Sequence, residues 1–211
     1  MVILGAGGHA KEIIEILYRN NADKGISFYD NTPLAQKHFL IKFLVISSDD
    51  ELKSEFSKDP KFATAISGTI KKEELVEKIK KMGGEYVSII ATNAIIGHFD
   101  VTIGNGSNIM QKVFISNSVI IGEGCLINYG ASIHHDCSVG KFCEISPNVQ
   151  LLGGAEIGNY VTIGAGATVL PKVKIGNNSV IGAGALVTKN VPENVMIMGI
   201  PGKIIKTISN P

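Results

Sequence analysis

The sequence predicts a two-part protein, a small α/β domain followed by an all-β parallel β-helix of hexapeptide repeats. Three observations carry this prediction. Aliphatic residues recur every six positions through most of the carboxy-terminal half, and a small or β-branched residue follows each of them by four. The amino terminus instead reads as a strand, a glycine-rich turn and a helix. The expected division assigns residues 1–85 to a half-Rossmann-like domain and 86–211 to the β-helix with its terminal tail.

The first element is the apolar run Met1-Val-Ile-Leu, followed by Gly5-Ala-Gly-Gly-His9-Ala10 and the amphipathic stretch Lys11 to Arg19. Glycines leave the backbone bare, and a helix amino terminus offers free N–H groups, so a phosphate can approach such a turn closely. The turn also satisfies Gly-x-Gly-x-x-Ala, and Asp30 lies about where a ribose-binding acid stands in a dinucleotide fold. Length argues against a dinucleotide. Only about 80 residues precede the repeats, enough for half such a fold. They hold a second strand near Ile26 to Tyr29, apolar runs at Leu40 to Ile46 and Phe62 to Ile66, and a charged helix from Lys71 to Lys81 expected to present a solvated face. The preferred reading is a domain that holds a mononucleotide, with a structural role for the turn as the alternative. His9 fits either a ligand contact or a helix start.

From Ile103 to Val187 fifteen successive first positions are aliphatic, six apart, and the small slot four residues on runs from Ser107 to Val191. No helix has this period. A short strand and a tight corner repeated every six residues make each hexad one face of a prism, and three hexads close a coil. Residues eighteen apart then stack about 4.8 Å apart. Glycine is frequent at the second and fourth positions, as in Ile121-Gly-Glu-Gly and Ile163-Gly-Ala-Gly, where the corner needs backbone that other residues adopt at a cost. The register slips by one residue between Ile96 and Ile103, so the first coil, opening at Ile90, is expected to be irregular. The repeats are expected to run to about Pro192.

Cys125, Cys137 and Cys143 all fall in the small inward slot, and the first and last are eighteen apart. They read as packing residues, since buried free cysteine behaves as a small hydrophobe. No Cys-x-x-Cys pair occurs and the first residues do not read as a secretory leader, so a reducing cytoplasm is expected. Lysine plus arginine total 20 against 19 acidic residues, so no general basic field exists to draw nucleic acid. The apolar run Phe39 to Ile46 is interrupted by Lys42 and is far too short to span a bilayer. Neither nucleic acid nor membrane is expected as a partner.

Histidine suits the role of a general base because its pKa lies near neutrality, and an adjacent carboxylate supports it. In the hexad Ile133-His-His-Asp-Cys-Ser138 the interior positions belong to Ile133 and Cys137, which turns His135 and Asp136 outward at the corner. By the eighteen-residue rule His135 stacks between Asn117 and Gly153, and the bare Gly153-Gly154 backbone is expected to leave room for a ligand beside the imidazole. His134, at the second position, reads as a hydrogen-bonding neighbour.

The glycine-turn domain joined to these repeats resembles the family of sugar O- and N-acetyltransferases that includes the sialic acid O-acetyltransferases and the bacillosamine-pathway N-acetyltransferase. Gly5-Ala-Gly-Gly-His9, Tyr29-Asp30-Asn31, His135-Asp136-Cys137 with Val139-Gly140, Ile181-Gly-Ala-Gly-Ala185 and Gly199-Ile-Pro-Gly-Lys203 carry the resemblance, which covers nearly the whole chain. It implies a left-handed β-helix, a homotrimer, and acetyl-coenzyme A as co-substrate between neighbouring helices with no metal. It further implies His135 as general base assisted by Asp136, and coenzyme contacts at Gly153, Ala165, Ala183 and Lys203. Substrate contacts fall on Gly7, Gly8, His9, Asp30, Asn31, Ser67 and Lys72. The implied acceptor is the amine of a UDP-type nucleotide-linked amino sugar, with the hydroxyl of a sialic-acid-type sugar as the alternative. A non-catalytic or metal-dependent protein is a third reading, and it lacks a third repeat histidine after His98 to join His134 and His135. Two departures stand out. Glu144 stands where the bacillosamine-type members carry a second histidine nine residues after the base, the position to which that subfamily's acetyl-group contacts belong, and Ser67-Gly68 with Lys72 replaces a Gly-Asn and arginine pattern.

Overall fold

The computed structural model describes residues 1–32 and 38–208. The amino-terminal domain is a mixed sheet with three helices. Strands β1 (Val2–Leu4), β2 (Ser27–Tyr29), β3 (His38–Phe39), β4 (Phe43–Ile46), β5 (Lys61–Thr64) and β6 (Glu85–Tyr86) lie in the order β3-β4-β2-β1-β5-β6. All neighbours are parallel except β3 and β4, which form a short hairpin. Helix α1 (Gly8–Arg19) follows β1, α2 (Asp49–Phe56) precedes β5 and α3 (Ile70–Lys81) joins β5 to β6. α1 turns Ala10, Ile13, Ile14 and Leu17 into the core, the spacing of an amphipathic helix. α2 was not foreseen, although Ser48-Asp-Asp-Glu51 forms a complete capping box.

The carboxy-terminal part is a three-faced parallel β-helix whose two-residue strands stack into three sheets. Ile109, Ile127, Ile145, Ile163 and Ile181 line the first face. Ile115, Ile133, Leu151, Val169 and Val187 line the second, and Ile121, Val139, Ile157 and Ile175 the third. Every one of these pairings joins residues eighteen apart, and these side chains are buried. In the first coil Ile90 pairs with Ile109 and Ile96 with Ile115, nineteen apart, while Ile103 pairs with Ile121 at eighteen, which places the extra residue where the slip was expected.

The corners explain the glycines in two ways. From Lys112 to Gly184 each fourth position has φ between 51° and 71°, a conformation glycine enters freely and Asp136, Phe142 or Tyr160 at a cost of roughly 1 kcal/mol. The second position is crowded instead. A Cβ on Gly122 would come within 2.7 Å of the next coil's backbone, and one on Gly164 within 2.5 Å.

The repeat does not stop at Pro192. Val191, expected in a small slot, instead bridges Ile175, and Val195–Met198 pairs with Val180–Ile181, so the last coil is two residues short. A hairpin follows, in which Lys203–Thr207 lies antiparallel on Val195–Met198. Cys125, Cys137 and Cys143 are buried free thiols, as expected of packing residues, and the thiols of Cys125 and Cys143 donate to the carbonyls of Gly140 and Gly158, each at 3.0 Å. No helix among the described residues is long and apolar enough to cross a membrane.

The amino-terminal domain straddles the first face. α1 runs along the edge between the first and second faces, where Asn20 donates to the carbonyl of Ile90 and accepts from the amide of Thr92. In the middle the buried Asn108 amide donates to the carbonyl of Thr64 at 2.7 Å. α3 covers the edge between the third and first faces: Lys71, Glu74, Glu77, Lys78 and Lys81 form the expected solvated face, while its other face packs on the coil. Glu73 accepts from Lys141 and Tyr160, both at 2.6 Å, and Lys80 pairs with Glu123.

Candidate active site

His135 and Asp136 sit on the edge between the second and third faces, the edge farthest from the amino-terminal domain. Their side chains are 68% and 65% exposed, and His135 Nδ1 lies 2.7 Å from Asp136 Oδ2. The left-handed backbone at Asp136 (φ 59°) turns its carboxylate back toward the preceding imidazole. A Cβ on Gly153 would lie 2.6 Å from His135 Cε1 and 2.7 Å from Nε2. The ring itself therefore occupies the space above Gly153, which fills the room expected there and leaves the imidazole open on its solvent side. His134 is half-buried and packs edge-on against Phe114, with ring centroids 5.9 Å apart.

Ala165 and Ala183 occupy third positions one coil apart on the edge between the first and second faces, both exposed. The turn before Lys203 continues that edge, since Met198 packs over Gly182. Gly153 lies on the other edge, with His135. The residues expected to touch one coenzyme thus lie on two edges separated by the whole second face, roughly five residues or about 16 Å of extended chain.

The glycine turn lies beside the first-to-second edge, at the carboxyl ends of β1, β2 and β5. Gly7 and Gly8 are exposed, and a Cβ on either would meet nothing within 4 Å. Gly7 caps α1 without a side-chain bond, and no acidic residue occupies the helix's first turn, so its first N–H groups have no partner within that turn. His9 Nδ1 lies 3.0 Å from Glu12 Oε2, while its buried Nε2 has no hydrogen-bond partner among the described residues. Asp30 ties this turn to the end of β2. Its Oδ2 accepts from the Ala6 amide at 3.2 Å, and Oδ1 accepts from the amide and hydroxyl of Thr32. Burial works to raise the Asp30 pKa, but the bonds from Thr32 and Ala6 prevail and hold it below its ordinary value. Asn31 and Ser67 are exposed at the same end of the sheet.

Lys72 departs from the expectation of a substrate contact. Its side chain is 3% exposed, and its ammonium points at Glu144 Oε1, 3.9 Å away. Burial lowers its pKa, with the Glu144 carboxylate working in the opposite direction. Glu144, the residue that departs from the bacillosamine-type pattern, sits at the start of a first-face strand. Its Oε1 also accepts from the Gly68 amide at 2.7 Å, which fastens the loop after β5 to the first face.

A β-helix of hexads bearing an outward imidazole–carboxylate pair, joined to a glycine-turn domain, defines a hexapeptide-repeat acyltransferase. Residues 1–79 match the family described as PglD N-terminal domain, and residues 136–170 and 154–189 match the bacterial transferase hexapeptide repeat. A perosamine N-acetyltransferase from Caulobacter crescentus, solved with CoA and GDP-perosamine as a variant with one histidine changed to asparagine, is 31% identical. The match covers 97% of this chain and 96% of that one, with a TM-score of 0.90. The acetyltransferase domain of PglB from Neisseria gonorrhoeae, solved with acetyl coenzyme A, is 26% identical over 97% and 98% of the two chains, with a TM-score of 0.89. WeeI from Acinetobacter baumannii is also 26% identical over 97% and 98%, with a TM-score of 0.87. No curated protein sequence matches the chain. The chain belongs to the PglD-like, acetyl-CoA-dependent sugar N-acetyltransferases with hexapeptide repeats.

Proposed function

We propose that this protein moves acetyl from acetyl-coenzyme A to the amine of a nucleoside-diphosphate-linked amino sugar, with His135 as base, in a site completed by a second copy of the chain. The observation that carries the proposal is the separation of its parts. His135, Asp136 and Gly153 lie on one edge of the prism, whereas the glycine turn, Ala165, Ala183 and Lys203 lie along another. A neighbour in a ring whose axis parallels the coil brings the two edges together at matching heights, and a homotrimer does this. Exposed Ile95, Phe99, Phe114 and Ile120 cluster around the His135 edge in the coils beneath it, an apolar patch suited to such a contact.

In this site residues 1–85 hold the sugar nucleotide and residues 86–211 the thioester. The diphosphate rests on the bare amino terminus of α1 at Gly7 and Gly8, flanked by His9, Asn31 and Ser67, and Asp30 presents its carboxylate to the ribose. Asp136 accepts the Nδ1 proton of His135, which leaves Nε2 free to take a proton from the attacking amine. The new C–N bond forms as this proton leaves. The tetrahedral intermediate then expels the coenzyme thiolate, which leaves as thiol after taking a proton from the imidazolium. A carrier based on uridine or on guanosine fits the same phosphate contacts.

The test is complementation. His135→Ala and Gly8→Asp, the second placing a carboxylate at the α1 terminus, are each expected to lose on the order of 10²-fold or more in turnover as intact oligomers. Oligomers mixed from the two are expected to recover activity, because one intact composite site survives. Failure of mixed oligomers to recover would place both halves of the site in one chain. Full activity of His135→Ala with UDP- and GDP-linked amino sugars would remove the base.

A further inference from the structure

We infer that Glu144, held from behind by the buried Lys72, is a positioning residue that sets the nucleotide-facing loop 65–69. This rests on the sugar-nucleotide reading above. The loop leaves β5 at the same end of the sheet as the glycine turn. Ala65 donates its amide to the Leu4 carbonyl, and a Cβ on Gly5 would lie 2.5 Å from Ile66, so the loop and the turn are packed as one surface. Gly68 has φ 105°, a backbone conformation that L side chains rarely adopt, and its amide donates to Glu144 Oε1 across the seam between the domains at 2.7 Å.

The carboxylate is not free to swing away. Its side chain is 16% exposed, and the Lys72 ammonium lies behind the same oxygen. The neighbourhood of Lys72 on the coil side is made by Glu144 with the buried thiols Cys125 and Cys143, so Glu144 supplies the negative charge that makes a charged lysine tolerable there. Glu144 thus accepts one bond from the loop and balances one buried cation, and both partners belong to the amino-terminal domain. A residue at this position that served the acetyl group would face the thioester instead of being spent on Gly68 and Lys72. A histidine at this position could not reproduce this arrangement, because a neutral imidazole has one acceptor and no charge to set against Lys72.

Glu144→Ala, Glu144→Gln and Lys72→Met separate the possibilities, read by hydrogen exchange of the peptide spanning 65–70 and by steady-state kinetics with UDP- and GDP-linked amino sugars. For Glu144→Ala, exchange of the Gly68 region is expected to quicken at least tenfold. KM for the sugar nucleotide should rise at least fivefold, with kcat and KM for acetyl-coenzyme A within about twofold of the parent. Glu144→Gln keeps an acceptor for Gly68 and is expected to retain most of the protection while the uncompensated Lys72 raises KM, and Lys72→Met in the Glu144→Gln background should lower KM again by removing that charge. Unchanged exchange in Glu144→Ala would overturn the inference, as would a fall in kcat at constant sugar-nucleotide KM, which would place Glu144 at the acetyl group. If the parent accepts no sugar nucleotide, the functional reading fails, while the exchange measurement still decides whether Glu144 holds the loop.

Discussion

Gly153→Ala tests the His135 geometry without touching the histidine. The added Cβ would stand 2.6 Å from Cε1, whereas ordinary contact begins at 3.4 Å, so the ring must move by about 0.8 Å (3.4 − 2.6). Backbone cost does not enter, since Gly153 is not among the positive-φ glycines. A 0.8 Å shift stretches or breaks the 2.7 Å contact with Asp136 and turns Nε2 away from its line of approach. Misplacement by about 1 Å in an active site can cost on the order of 10²-fold, so kcat is expected to fall by about 30- to 100-fold. The ring is mostly exposed, so stability should change by less than about 0.5 kcal/mol. The assay follows release of the coenzyme A thiol, with oligomeric state and thermal midpoint as controls. The double variant Gly153→Ala/His135→Ala should be no slower than His135→Ala alone, because the added methyl has no ring left to displace. Parent-like kcat in Gly153→Ala, or full additivity with His135→Ala, would refute this reasoning, and a rise confined to the acetyl-coenzyme A KM would make Gly153 a coenzyme contact only.

The interior ladder and the domain seam give two further expectations. Leu151→Ala empties a fully buried slot between Ile133 and Val169 and is expected to cost about 2–5 kcal/mol, read by denaturant unfolding. Glu73→Gln should flatten the acid limb of stability against pH. Burial pushes the Glu73 carboxyl up, but the bonds from Lys141 and Tyr160 outweigh it and hold its pKa below 4.5. A carboxyl depressed in the folded state adds stability above its unfolded pKa and loses it as pH falls through the folded one. The gap between the parent and Glu73→Gln should therefore be full at neutral pH and shrink as pH drops below about 4.5. A gap independent of pH in melting experiments would show that the Lys141 and Tyr160 contacts contribute nothing through ionisation.

The β-helix was legible because its signal is local and redundant. Each hexad repeats the same demand, so the pairing of Ile109, Ile127 and Ile145 and the extra residue after Ile96 both follow from counting. His135 could be placed outward for the same reason. The shortened last coil escaped because Val191 suits a small slot and a strand equally, and only its pairing with Ile175 separates the two. The α3 seam escaped for a different cause. Lys72, Glu73 and Lys80 look like the face of any solvated helix, and their partners Glu144, Lys141 and Glu123 lie 43 to 72 positions away along the chain. Local pattern carries no information about such meetings. The crowding of His135 over Gly153 was half readable, in that the stack was foreseen but not that the ring fills it.

The closing hairpin gives the molecule a finite length. A stack of identical rungs is a template at its open end, where unpaired amides and carbonyls invite another strand and ultimately a fibre. Here the first face ends in Lys203–Thr207, which runs against the grain of every rung below it and carries Lys203 and Lys206 at the rim. A newcomer would meet reversed polarity and two positive charges. Lys203, expected as a coenzyme contact, would then have a second duty as a stop signal, and removing both lysines is a change whose penalty would surface as self-assembly before it surfaced in turnover.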